Sequence, residues 1–186
     1  LGFLAMSMFH FSGDLKGRAP LPLRLLYGGG IILFPAVLHA QALGQLFSML
    51  IGGLQGQLMA DALHVLAWPW LALTAAVVVW NLKRHPVAAW ETLGVAAALT
   101  LLPPILGFTL YFCLMHSARH VLRTKQFAQA SWPSLLWIAA GPVIGTLALG
   151  YWGWQGLAES GLTAKIVQIV FVGLAALTVP HMALVE

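Results

Sequence analysis

From Leu25 to Leu82 the chain carries one ionised side chain, Asp61, in a run of otherwise apolar, small or neutral residues. A soluble domain holds about a quarter charged residues spread along its length, so a run of this kind belongs in a bilayer. The rest of the chain agrees. Its 186 residues are 60% hydrophobic and 8% charged, with a mean hydropathy of +0.88. In lipid every backbone N–H and C=O must be satisfied within the protein, and apolar runs do this as helices.

A span needs about 20 apolar residues, which predicts an all-α, polytopic transmembrane helical bundle of six or seven spans, some broken at proline, in a single domain over 1–186. Leu1 to Phe11 reads as the tail of a helix and Ser12 to Arg24 as a basic, turn-rich loop. Gly28-Gly29-Gly30, Pro35 and Gly52-Gly53 punctuate 25–82, and Lys83-Arg84-His85-Pro86 is a loop. Residues 87–122 form an apolar segment broken at Pro103-Pro104, and Arg123 to Pro133 is a polar loop. Spans at 134–152 and 162–184 flank a turn at Gly153 to Gly161. The chain opens inside an apolar run without Met or a charged leader region, so Leu1 does not begin a signal peptide. The expectation is a fragment of a longer protein. The single cysteine, Cys113, excludes an intramolecular disulfide and a cysteine metal cage. The net charge of +4 fits a cytoplasmic loop bias and not a nucleic-acid footprint.

Chemistry has little material here beyond histidine. There is no GxSxG elbow, no HExxH, no phosphate-cradling glycine loop and no pair of catalytic carboxylates. His116 and His120 stand four residues apart, one helical turn, where two imidazoles could bind one metal ion. Imidazole suits iron, zinc or copper, and a site of histidines without carboxylate suits a redox ion that binds O₂ more than a hydrolytic zinc. His10, in Phe9-His10-Phe11-Ser12-Gly13-Asp14, ends the first helix, and Asp14 could accept from a ligand ring and fix its orientation. His181 follows Pro180 in the last segment. A lone intramembrane histidine is more often an interhelical contact than a ligand. On that basis His39, beyond Pro35, reads as a packing or pocket residue, His64 as the structural partner of Asp61 one turn before it, and His85 as solvated.

If His10, His116 and His120 share a site, the segment ending at His116 must finish on the side reached after Phe11. With 87–122 counted as one segment, this requires an odd number of crossings between Ser12 and Lys83, and three short ones fit. Lys16, Arg18, Arg24, Arg119, Arg123 and Lys125 then collect on that side, leaving Lys83, Arg84 and Lys165 opposite. The positive-inside rule makes the histidine side cytoplasmic, and the last helix returns His181 to it.

The motif around His10, the pair in His116-Ser117-Ala118-Arg119-His120, and the closing Leu177-Thr178-Val179-Pro180-His181-Met182-Ala183-Leu184-Val185-Glu186 together resemble the Brp/Blh family of integral-membrane β-carotene dioxygenases. Their order, their spacing and the position of His39 between them match as well. The resemblance implies a multi-pass enzyme of the inner (plasma) membrane with a non-haem Fe(II) site. Such an enzyme uses O₂ to cleave the central double bond of β-carotene into two molecules of retinal, commonly for a rhodopsin. It implies His10, His116 and His120 as iron ligands, with His181 as a ligand or a residue behind one. The family's further ligand histidine belongs to an N-terminal His-Gly-containing motif with no counterpart in 1–186, so this chain alone is expected to bind iron weakly and turn over slowly or not at all. Two rivals remain at this point. One is a histidine-ligated haem electron-transfer protein. The other is a transporter or assembly protein whose histidines are only contacts.

Overall fold

A computed structural model describes residues 2–157 and 161–185, the side chains of 175 and 177–185 excepted. Every regular element among the described residues is a helix, with no strand. The helices are α1 (Gly2–Ser12), α2 (Leu21–Ile51), α3 (Gly53–Asn81), α4 (Pro86–Leu101), α5 (Pro104–Tyr111), α6 (Ala118–Ala128), α7 (Trp132–Gly156) and α8 (Leu162–Val185). A 3₁₀ turn at Gly13–Leu15 follows α1, and a π-helical turn at Phe112–Ser117 joins α5 to α6. Four stretches are long and apolar enough to cross a membrane: Leu21–Ile51, Gly53–Asn81, Pro104–Ala128 and Trp132–Gly156. Pro86–Leu101 and Leu162–Leu174 are shorter apolar helices. The chain divides into two compact units, Leu1–Ala118 and Arg119–Glu186.

In the first unit α2 is the central element and packs on α1, α3 and α4. Close approach is bought by small residues, as membrane helices require where no hydrophobic force drives them together. A methyl at Gly28 would run into the Met8 carbonyl and the Ser12 amide of α1, and one at Gly56 into the Phe47–Ser48 backbone of α2. Gly52, at φ +100°, makes the tight reversal between α2 and α3. Trp70 of α3 lies against Gly29 and donates its indole N–H to the Leu26 carbonyl at 3.0 Å. Tyr27, Phe34, Leu23, Leu99 and Leu15 form the most buried part of the core.

Several sequence expectations need correction. The three glycines at 28–30 do not break α2. They lie within it, where Gly28 admits α1 and Gly29 admits Trp70. Residues 25–82 therefore cross twice, as a hairpin, and not three times. The missing reversal is at Pro103-Pro104, where Leu102 turns extended and two successive prolines end α4. Gly107 of α5 then packs back on Ala98 and Leu99. The crossings between Ser12 and His116 still sum to an even number, so His10 and His116 meet at one end. Lys83 and Arg84 also move to that end. Pro20 and Pro22 share a notch with Trp80, Arg84 and His85, and Arg18 of the first loop bridges to Glu91 near the start of α4 at 3.2 Å. Arg24 lies on α2 rather than in the loop, and Arg123 to Ala128 continue helix α6 rather than a polar loop.

The expected Asp61–His64 pair is also replaced. Asp61 accepts from Gln57 at 3.0 Å, while His64 Nδ1 bonds the Ala36 carbonyl at 2.7 Å. The reason lies in α2. His39 departs from helical geometry (φ −124°, ψ 32°) four residues after Pro35, and the kink leaves the Ala36 carbonyl for a partner on α3. His64→Leu should lower stability by about 0.5–1.5 kcal/mol, the loss of one part-buried hydrogen bond. The thermal unfolding midpoint in detergent measures it, and an unchanged midpoint would show that this bond carries no weight.

The second unit begins one residue into α6. Lys125 lies over the Trp132 ring at 4.9 Å and Lys165 over Trp154 at 5.2 Å. Ser131 caps α7 by accepting from the Ser134 amide at 3.3 Å, and α8 packs on α7 with Ile169 against Gly150.

Candidate metal centre

His10 is brought in by α1, whose approach depends on Gly28, and His116 by the π-helical turn. Both are buried. Their Nε2 atoms face each other at 3.2 Å, with the rings edge to face at 4.9 Å between centroids. Two nitrogens bound to one ion at about 2.1 Å each stand about 3.0–3.4 Å apart for angles between 90° and tetrahedral.

Asp14 decides which nitrogen faces the pair. It is fully buried, and both its oxygens lie 3.1 Å from His116 Nδ1. A carboxylate only accepts, so Nδ1 carries the proton and Nε2 keeps its lone pair toward His10. Backing of this kind is what a metal-bound imidazole uses to fix its tautomer and ring plane. Tyr111 donates its hydroxyl to Asp14 Oδ2 at 2.6 Å. Arg18 donates to the Asp14 carbonyl at 3.0 Å, and Arg24 to the Ser12 carbonyl at 3.2 Å, so the loop carrying Asp14 is tied at two points. Around the imidazoles stand apolar rings. Phe112 stacks on His116 at 5.4 Å and Phe11 meets its edge at 5.1 Å.

His120 follows His116 by four residues and belongs to the second unit, where it is half-buried. The donors fit a first-row metal: the ring nitrogens of His10 and His116 face each other, with the nearby carboxylate on the far side of His116.

The remaining histidines stand elsewhere. His64 is used by the Ala36 carbonyl and His85 is the residue before α4. His39 is at the α2 kink, where its Nε2 is buried without a hydrogen-bond partner among the described residues. The side chain of His181 lies outside the described residues. Sequence reasoning gave Tyr111 no role and counted Arg18 only among the charges of the first loop. Their signals, a tyrosine five residues before a ligand candidate and an arginine four after an aspartate, are too common to single out.

Comparison with known proteins covers the whole chain. The family model described as Beta-carotene 15,15'-dioxygenase matches residues 1–186. The chain is 27% identical over 195 residues to a protein of an uncultured marine bacterium, 66A03, named Beta-carotene 15,15'-dioxygenase, covering 99% of this chain and 70% of that one. It is 29% identical over 164 residues to a Halobacterium salinarum protein named Probable beta-carotene 15,15'-dioxygenase Blh, covering 75% of this chain and 47% of the relative. No solved structure matches. With a family match that runs the length of the chain, over a buried histidine pair backed by a carboxylate, the chain belongs to the beta-carotene 15,15'-dioxygenase family.

Proposed function

We propose that the protein to which this chain belongs cleaves the central 15,15' double bond of β-carotene with O₂ to give two molecules of retinal, at an Fe(II) held by His10, His116 and His120. The observation that carries the reading is the facing Nε2 pair of His10 and His116, with Asp14 holding the His116 tautomer. Iron, when bound, supplies the activation of O₂ that no side chain here can perform. The chain's own residues do the rest. Asp14 keeps the proton on Nδ1 of His116 so that its other nitrogen is free to bind. Phe11 and Phe112 line the imidazoles with apolar surface that suits a hydrocarbon and excludes water. β-Carotene has no polar group to grip, so its position along the site is set by shape and by aromatic walls.

The same reading gives an orientation. Lys16, Arg18, Arg24, Lys83 and Arg84 gather at the end of the first unit where Asp14 lies, and the positive-inside rule turns that end to the cytoplasm of an inner (plasma) membrane protein.

The test is retinal formation by the natural full-length protein in a β-carotene-producing bacterial host. Wild type should bleach the cells with retinal appearing, and His10→Ala, His116→Ala and His120→Ala should each lower retinal at least 100-fold at equal protein level. Retinal undiminished in all three variants, or none from well-expressed wild type, would overturn the assignment.

A further inference from the structure

Tyr111 and His116 are five residues apart, yet both reach one carboxylate. On an α-helix five residues would leave them about 140° apart around the axis. The turn at Phe112–Ser117 is instead π-helical, closed by i→i+5 bonds, and it brings residues five apart onto neighbouring positions. The phenol bonds Asp14 Oδ2 at 2.6 Å, the short range of a hydroxyl on an ionised carboxylate. Tyr111 is itself held, with its ring packed edge-on against Phe11 at 5.5 Å and Tyr27 at 6.1 Å.

We propose that Tyr111 is a positioning residue for the metal centre, acting through Asp14, and that the π-helical turn serves to bring it there. This rests on the reading of His10, His116 and His120 as the iron site. The phenol fixes the plane of the Asp14 carboxylate, the carboxylate fixes the Nδ1–H of His116, and Nε2 is thereby aimed at the ion. Without the hydroxyl the carboxylate loses the 2.6 Å bond that helps to set its plane, and the acceptor of His116 is held less firmly while every ring contact is kept. The consequence is a weaker hold on the metal, not a disrupted fold.

The experiment is an anaerobic Fe(II) titration of the purified full-length protein in detergent against a competing chelator. The proteins compared are wild type, His116→Ala, Tyr111→Phe, Asp14→Asn, the Tyr111→Phe/Asp14→Asn double variant, and Thr92→Val as a control. Thr92 is buried and donates only to the Ala88 carbonyl of its own helix. Tyr111→Phe should raise the Fe(II) dissociation constant about 10-fold and Asp14→Asn 10- to 100-fold, the range for partners that orient a ligand. The double variant should exceed Asp14→Asn by no more than about 2-fold, because the tyrosine works through the carboxylate. Thr92→Val should leave the dissociation constant unchanged. Wild-type affinity in Tyr111→Phe, or single effects that multiply fully in the double variant, would overturn the inference while leaving the iron site standing. A wild-type protein with no His116-dependent Fe(II) binding would overturn the proposed function as well.

Discussion

Replacing Asp14 by alanine should reduce retinal formation by the full-length protein at least 100-fold and strip most of its iron. Two losses coincide at that position. The buried His116 Nδ1–H loses its carboxylate acceptor, and the buried Tyr111 hydroxyl loses the 2.6 Å bond it donates to Asp14. The imidazole is then free to adopt the other tautomer, in which Nε2 carries the proton and cannot bind a metal. Removal of such a partner alone weakens metal binding 10- to 100-fold, and misplacement of the remaining ligands adds to it. Retinal by chromatography and iron per protein in the same membranes measure the two effects together. Wild-type values for both in Asp14→Ala would show that His116 is oriented by something else.

The second large effect is expected far from any ligand. Gly28→Ala should destabilise the protein by about 1–3 kcal/mol, the usual cost of overpacking, and lower retinal formation about 100-fold. The added methyl would meet the Met8 carbonyl and the Ser12 amide. These are backbone atoms, which cannot swing aside as the end of a flexible side chain can. Relief requires α1 to move outward, and α1 carries His10 while leading into Asp14. A displacement near 1 Å at a positioned group costs on the order of 100-fold in rate. Gly94→Ala is the control, since nothing lies within 4 Å of a methyl there. In a helix interior that change should stabilise by about 0.5–1 kcal/mol without altering activity. Equal behaviour of the two variants would remove the close approach of α1 and α2 as the cause.

The histidines and Asp14 stood out because they sit in short local patterns, an i, i+4 pair and a carboxylate four residues after a histidine, but the ring that Asp14 holds is His116, 102 positions away, and not His10. Tyr111 did not stand out, since five residues is the wrong spacing for a shared face on an α-helix and nothing in Phe112–Ser117 announces a π-helical turn. The glycines at 28–30 read as a break because glycine weakens a helix, but in a membrane the same residue admits a neighbouring backbone, and composition does not separate the two. Pro103-Pro104 was equally consistent with a kink and with a reversal. Only the return of Gly107 onto Leu99 decides it. His64 and Asp61 had suitable spacing for a pair, and the carbonyl exposed by the kink at His39, 28 positions from His64 along the chain, won instead.

The two histidines that face each other are separated by 106 residues of sequence. At about 5–20 residues per second of synthesis, His10 and Asp14 enter the membrane roughly 5–20 s before His116 exists. During that interval the carboxylate has neither its imidazole nor its phenol, and a charged group alone in the hydrocarbon is strongly disfavoured. The first loop must therefore wait at the headgroup level and sink only when the fifth helix arrives. Formation of the histidine pair is thus tied to a late step of biogenesis, and a ribosome stalled before Tyr111 leaves a chain in which His10 has no His116 to face.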